Sequence, residues 1–431
     1  MVKSVKVPWA AWYGDPEELV LEFPDEWDVQ AFPIADAPPI DGEALRDAVT
    51  RPLGTEPLAK LARGKRSVAV AVEDISRPSR LERVLNLLLD ELEAGCVDLG
   101  DVTVVTALGA HRPMNRFDLV KKLGSTVLER VNVENHHPYE NLVELGHSAA
   151  GTPIHVNRTY HDAELKVAVG TVIPHPLAGF GGGAKMVLPG VCGIETLAGN
   201  HEAGLRGVGI GLGVITELRR DVEDVCSRVG LDFSVNLVTT SRRQVAGAFA
   251  GHFVEAHRAA VDLAKRVYRV EVPRLGRKDK FDAGIFNLFP EDTELSQSIK
   301  GMNLYLSTQA LFRRGAVQVF ASASPEGRGF HSLSGERGAR LYKNWGDNPV
   351  VSSLFRGKPL AIFSPGCTEF DVRHFYPPDA HFCRAPGQLV DLLAELAGAS
   401  PKVAVFPTSL GLPELPKPTE QVEQVEQPMR E

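Results

Sequence analysis

The sequence predicts an α/β protein with two domains of mixed, mostly parallel sheets flanked by helices, and an active site in the crevice between them. Three observations predict it. Short apolar runs rich in valine and isoleucine alternate with longer segments of helical periodicity, the pattern of parallel strands joined by crossover helices. A chain of 431 residues that is 43% hydrophobic and 24% charged is long for a single core, so two domains are expected. Polar residues suited to chemistry then collect directly after the predicted strands, where open α/β sheets bind ligands.

Strands are expected at 66–73, 101–107, 165–173, 232–239, 282–289, 315–322, 358–363 and 402–406, each an apolar run of strand length. Helices are expected near 43–63, 79–94, 115–123, 254–268, 306–313 and 386–397. The basic stretch VPRLGRKDKFD at 272–282 interrupts the periodicity before a new strand. It places the boundary between an N-terminal domain, 1–272, and a C-terminal domain, 273–406. From Pro407 proline, glutamate and glutamine dominate, so 407–431 is expected to be a mobile tail without chemistry.

Charge and cysteine content exclude several classes of function. With 47 basic and 55 acidic residues the formal charge is -8, which offers no broad electropositive face. No nucleic-acid or membrane partner is therefore expected. The five cysteines are widely separated and form no C-x-x-C pair, which suggests neither a disulfide framework nor a structural zinc site and fits a reducing compartment. No apolar stretch approaches the roughly 18 residues of a membrane span and the N-terminus lacks an apolar signal region, so a cytoplasmic location is expected.

The first strand is followed by Asp74-Ile75-Ser76-Arg77-Pro78, the second by Gly109-Ala110-His111-Arg112-Pro113, the third by Pro174-His175-Pro176. The strand at 282–289 leads to Gln297-Ser298-Ile299-Lys300-Gly301. Singly, an Asp-x-x-Arg turn is often only an ion pair, and a loop histidine more often a hydrogen-bonding residue than a catalyst. Four strand ends offering such groups to one crevice are harder to attribute to accident. The segment GFGGGAKMVLPG from Gly179 places three glycines before Lys185, which frees the backbone for close approach to a ligand and could cradle a phosphate. It is not a Walker A loop, because Met186 stands where serine or threonine is required. Gly179, Gly181 and Ala184 fit the looser dinucleotide pattern, but Pro189 and Gly190 cut short the helix that should follow. His201, in a helical segment, has no second ligand at a familiar spacing and could be the lone protein ligand to a metal carried by an organic cofactor.

Together EDISRP (73–78), TALGAHRP (106–113), IPHPLAGFGGGAKMVLPG (173–190), AGNHEAG (198–204) and QSIKGM (297–302) resemble the nickel-pincer lactate racemase family, in the family's order over most of the chain. The resemblance implies a cofactor, the nickel-bearing pyridinium-3-thioamide-5-thiocarboxylic acid mononucleotide, attached covalently to Lys185 with His201 as the metal ligand. It implies that Asp74, Ile75, Ser76 and Arg77 contact the nucleotide. Arg77 would also face the substrate carboxylate together with Gln297 and Lys300, and His111 and His175 would be the two catalytic histidines. Cofactor-synthesis proteins are implied as partners needed for activation, and a small 2-hydroxy acid as substrate.

The chemistry agrees with that implication. Abstracting the C2 hydrogen of a 2-hydroxy acid as a proton is hard, because the neighbouring carboxylate is already an anion. Its removal as hydride avoids the carbanion but needs a base of near-neutral pKa on the hydroxyl, and two enantiomers need two such bases. Ser296 stands where a tyrosine is expected in lactate racemases, and Trp345 is the candidate counterpart of a substrate-side tryptophan. The expected reaction is racemisation of lactate or a close homologue through a 2-keto acid. The alternatives are epimerisation of another 2-hydroxy acid or sugar acid with the same cofactor, an NAD-dependent 2-hydroxy acid dehydrogenase, and a non-catalytic binding homologue.

Overall fold

The computed structural model describes residues 3–14, 17–207, 216–333, 355 and 358–414. All eight expected strands are present, four in each of two six-stranded sheets. The first runs, edge to edge, Val245–Gly251, Phe233–Thr239, Leu165–Thr171, Val68–Glu73, Val102–Ala107 and Asn132–Asn135. Its strands are parallel except for the antiparallel edge strand Val245–Gly251. Val68–Glu73 is buried along its whole length, as a central parallel strand covered by helices on both faces must be. The chain places its second and third strands on one side of Val68–Glu73 and its fourth on the other. A topological switch point therefore opens between the carboxyl ends of Val68–Glu73 and Leu165–Thr171.

The second sheet, all parallel, runs His381–Cys383, Leu360–Phe363, Phe312–Ala321, Phe281–Asn287, Lys402–Phe406 and Asp28–Ala31. Its switch point lies between Phe281–Asn287 and Lys402–Phe406. Residues beyond Asn287 thus emerge where a ligand is expected, and Arg77, His111 and Arg112 at the carboxyl edge of the first sheet meet them there.

Several expectations need correction. Asp28–Ala31 pairs with Lys402–Phe406, and Val7, Trp9, Leu21, Phe23 and Trp27 pack into the apolar layer under the second sheet. The N-terminal segment therefore belongs to the second sheet, and a single cut at residue 272 does not separate the two. The helix expected near 306–313 ends at Ser307, and Phe312 already begins a strand, because Phe312, Ala316, Val317 and Val319 are needed in the core. The helical stretch at 43–63 is broken into Gly42–Thr50 and Leu58–Leu61 by Pro52, Gly54 and Pro57. The tail is ordered at its start: Leu412–Glu414 pairs with Arg269–Glu271, and Leu410 is buried in the core. Residues 415–431 lie outside the described residues. All five cysteines are free, and no helix among the described residues is long and apolar enough to cross a membrane.

Candidate active site

Asp74 lies one residue beyond the buried strand Val68–Glu73 and turns back on its own loop. Its Oδ1 accepts from the Ser76 hydroxyl at 2.7 Å and the Ser76 amide at 3.2 Å. Its Oδ2 stands 2.5 Å from His111 Nδ1. Burial works against the Asp74 charge, but His111, Arg77 and Ser76 more than offset it and hold the carboxyl well below the usual carboxylate range. An ionised carboxylate only accepts, so the His111 proton sits on Nδ1 and the Nε2 lone pair faces outward. Gln297 Nε2 approaches that lone pair at 3.4 Å from the second sheet's side.

Arg77 points into the same space. Its Nη1 donates to Glu291 at 2.8 Å, an ion pair joining the ends of the two sheets, and to Ser76 Oγ at 3.1 Å. Burial disfavours the guanidinium charge, yet Glu291, Asp74 and Glu73 raise its pKa above the ordinary value. Arg112, from the same motif as His111, turns away: it pairs with Glu326 and Asp118 and ties the first sheet's loop to the second sheet's. Ile75 is buried in a small apolar cluster with Trp12, Leu108, Met114 and Phe289, so it supports the loop from below.

His175 and Lys185 meet on the other side of the switch point. The Leu177 and Ala178 amides donate to His175 Nδ1 at 3.2 and 3.1 Å, and Nε2 lies 3.1 Å from Lys185 Nζ. With Nδ1 accepting, the neutral ring carries its proton on Nε2, and the contact with Lys185 is a hydrogen bond only when the lysine is an uncharged amine that accepts, since an ammonium can only donate. The two candidate bases are thus held in opposite tautomers.

The triple glycine serves packing rather than anion binding. Gly182 and Gly183 adopt φ of +72° and +56°, and a Cβ on Gly182 would fall 2.7 Å from Val172 Cγ2. The Gly181 amide donates to Ile173 O at 2.8 Å and the Gly183 amide to Asn236 Oδ1 at 2.7 Å, so neither is left to cradle a phosphate. The glycines let this loop sink between Val172 and His257, which presents Lys185 to the cleft.

His201 lies in the helix Ile194–Gly207. Its Nδ1 donates to Leu197 O at 2.7 Å, which leaves Nε2 with a lone pair. Burial pushes its pKa down to about 4, against the Leu197 carbonyl, and nearby Lys185 lowers it further. The ring is thus neutral at neutral pH, the form in which an imidazole nitrogen can serve as a metal ligand. Among the described residues no three His, Cys, Asp or Glu side chains are grouped to hold a metal ion.

The side chain of Lys300, with those of Ser298, Ile299 and Gly301's neighbour Met302, lies outside the described residues, as does Trp345. Ser296 is buried and donates to Glu294, which also accepts from Gln297 Nε2 at 3.1 Å. Sequence reasoning missed Glu291, Glu294 and His331. The His331 ring packs edge-on against His111 with centroids 5.3 Å apart, and the two backbones form an isolated bridge. Nothing local marks these three; each is defined by what crosses from the other sheet.

Residues 13–211 match the family model described as the lactate racemase N-terminal domain. The chain is 28% identical over 323 residues to the lactate racemase of Thermoanaerobacterium thermosaccharolyticum, covering 73% of each chain. It is 25% identical over 301 residues to that of Lactiplantibacillus plantarum, covering 68% of this chain and 69% of the other. The lactate racemase apoprotein structure from T. thermosaccharolyticum superposes with a TM-score of 0.75 at 21% identity, over 96% of this chain and all of that one. A Thermotoga maritima protein shares the fold with a TM-score of 0.67 at 18% identity, over 88% of this chain and all of that one. The matched N-terminal domain model spans residues 13–211, and two lactate racemases align with the chain over 73% and 69% of their length, so the chain is similar to the lactate racemase family in sequence and in fold.

Proposed function

We propose that this protein is an isomerase that racemises lactate or a close short-chain 2-hydroxy acid, with a 2-keto acid as intermediate. The observation that carries the reading is the Asp74–His111 pair, which leaves Nε2 as a proton acceptor beside the loop that carries Ser76 and Arg77. The two lactate racemase relatives favour lactate as the first substrate to assay.

Arg77 is the group for the substrate carboxylate, since a guanidinium can use its remaining N–H donors in a planar fork while Glu291 holds Nη1. His111 takes the hydroxyl proton at Nε2, and Asp74 stabilises the imidazolium that results. His175 would serve the opposite enantiomer in its other tautomer, with its proton moved from Nε2 to Nδ1, which requires the turn contacts at Nδ1 to relax. Gln297, which approaches His111 from the second sheet's side, would be a further substrate contact, and by the family resemblance Lys300 would be its partner.

The residues present fit the nickel-pincer nucleotide. Lys185 would carry it through its amine, His201 would bind the metal through Nε2, and Asp74, Ser76 and Arg77 would lie along the nucleotide, with Ile75 contributing its backbone while its side chain stays in the apolar cluster below. When bound, the cofactor supplies a hydride acceptor for the C2 hydrogen. Proteins that synthesise and install it are the expected partners, and the reaction is a cytoplasmic one on a small anion.

Deuterium at C2 tests the reading. Racemisation of 2-deuterated lactate in ordinary water by the loaded protein should retain most of the label and run more slowly than with unlabelled lactate. Rapid loss of deuterium into water from both enantiomers would point to proton abstraction and rule out the hydride route.

A further inference from the structure

Glu73 is the first residue of the EDISRP motif, and no ligand contact accounts for it. It ends the central strand, is 3% exposed, and its carboxylate gathers groups from three separate segments. Oε1 accepts from Lys122 Nζ at 2.7 Å, Ser79 Oγ at 2.5 Å and Thr171 Oγ1 at 2.8 Å, while Oε2 accepts from the Thr171 amide at 2.5 Å. Lys122 lies on the helix Arg116–Leu123, which follows the His111 loop, and has no solvent exposure. Besides Glu73 it donates to the Arg77 carbonyl at 3.0 Å, and its own carbonyl accepts from the Leu81 amide at 2.8 Å.

The pair therefore clamps both sides of the switch point. Lys122 grips the loop that carries Asp74 and Arg77 at its backbone, and Glu73 grips Thr171, the last residue of the strand that leads to His175. A buried pair is a poor route to stability, because desolvating two charges offsets most of their attraction. What it supplies is direction: a charged, multiply bonded clamp tolerates little displacement.

We propose that Glu73 and Lys122 are positioning residues that set the Arg77 guanidinium against His175, so that the carboxylate-binding group and the base stand at a constant separation. The proposal rests on the reading of Arg77 as the substrate-carboxylate contact.

The test compares Glu73→Gln, Lys122→Met and the double variant in the cofactor-loaded protein. Either single change leaves a buried charge or strips its partner, so both should lower the melting temperature. The double variant removes both charges at nearly constant shape and should recover most of the melting temperature. Its KM for lactate should nevertheless stay about 10-fold or more above the parent's, with kcat less affected and nickel content unchanged, because the Arg77 carbonyl has lost its anchor. Hydrogen exchange gives an arm independent of activity: amides at 74–79 and 171–178 should exchange faster together in the double variant, the rest of the first sheet as in the parent. A double variant with parental melting temperature, parental KM and parental exchange in both loops would overturn the proposal. If the loaded parent racemises no 2-hydroxy acid, the functional reading fails, and coupled or uncoupled loosening of the two loops still decides for or against the clamp.

Discussion

At the scale of single residues the site depends on which ring nitrogen carries a proton. Asp74 pins the His111 proton on Nδ1, whereas the Leu177 and Ala178 amides leave that of His175 on Nε2. His111 is ready to accept in the arrangement seen, and His175 must exchange partners first. On the proposed roles, loss of either ring removes one of the two bases, so His111→Ala and His175→Ala should each slow racemisation by roughly 10²–10⁴-fold, the usual range for general acid–base catalysis. Steady-state rates from each enantiomer check this; a loss under about 10-fold for both variants would remove the histidines from the chemistry. The motif residues themselves were legible in the sequence because they follow strands. The tautomers were not, since they depend on Asp74 and on two turn amides meeting the rings in space.

At the scale of elements, the stretch from Glu291 to Gln297 is the wall that the second sheet sets against the first sheet's motif loops. It descends directly from the switch-point strand Phe281–Asn287, and it brings Glu291 to Arg77 and Gln297 to His111. Ser296 turns its hydroxyl to Glu294 and fills far less of the wall than an aromatic ring would. Rates for 2-hydroxybutyrate should therefore be comparable with those for lactate. A methylene usually decides roughly 10–200-fold, so a steeper fall in kcat/KM on adding one would show a closed pocket and count against this. The substitution at Ser296 was visible from sequence alone. The carboxylate that holds it was not, because the link between 294 and 296 exists only once this stretch is folded under Phe330, whose amide donates to Glu294 at 3.2 Å.

At the scale of the whole molecule, the N-terminal segment and the second sheet are joined through Asp292. It is fully buried and accepts from the Ala10 and Ala11 amides at 2.8 and 3.1 Å. Burial pushes its pKa up to about 6, although the two amides and Arg243 oppose the shift. The folded chain thus keeps a proton that an unfolded aspartate, with an ordinary pKa of about 3.9, has already released. Between those values stability falls as pH rises, and above pH 6 the loss is complete at about 2–3 kcal/mol, from roughly 1.4 kcal/mol per pKa unit. Urea unfolding at pH 4.5 and 7.5 should show this decline in the parent and a flatter dependence in Asp292→Asn. Equal slopes in the two proteins would assign the pH dependence to other groups.

By itself the sequence determined the strands, because their apolar runs record burial on both faces, and it determined the chemical groups at their ends, because local order along a strand is preserved in the fold. It also carried the likeness to the lactate racemase family. Tertiary structure alone decided which ends meet. That the chain's first strands serve the second sheet, that Arg112 ties loops together instead of lining the cleft, and that the triple glycine turns its bare faces inward all depend on partners distant in the chain. The same holds for Glu291 at Arg77 and for the buried Glu73–Lys122 pair, 214 and 49 residues apart in sequence. Hydrophobic periodicity reports which face of an element is buried, whereas the pairing of charges across a cleft is settled by the cost of leaving either one buried alone, and that cost arises only when the sheets have closed over them.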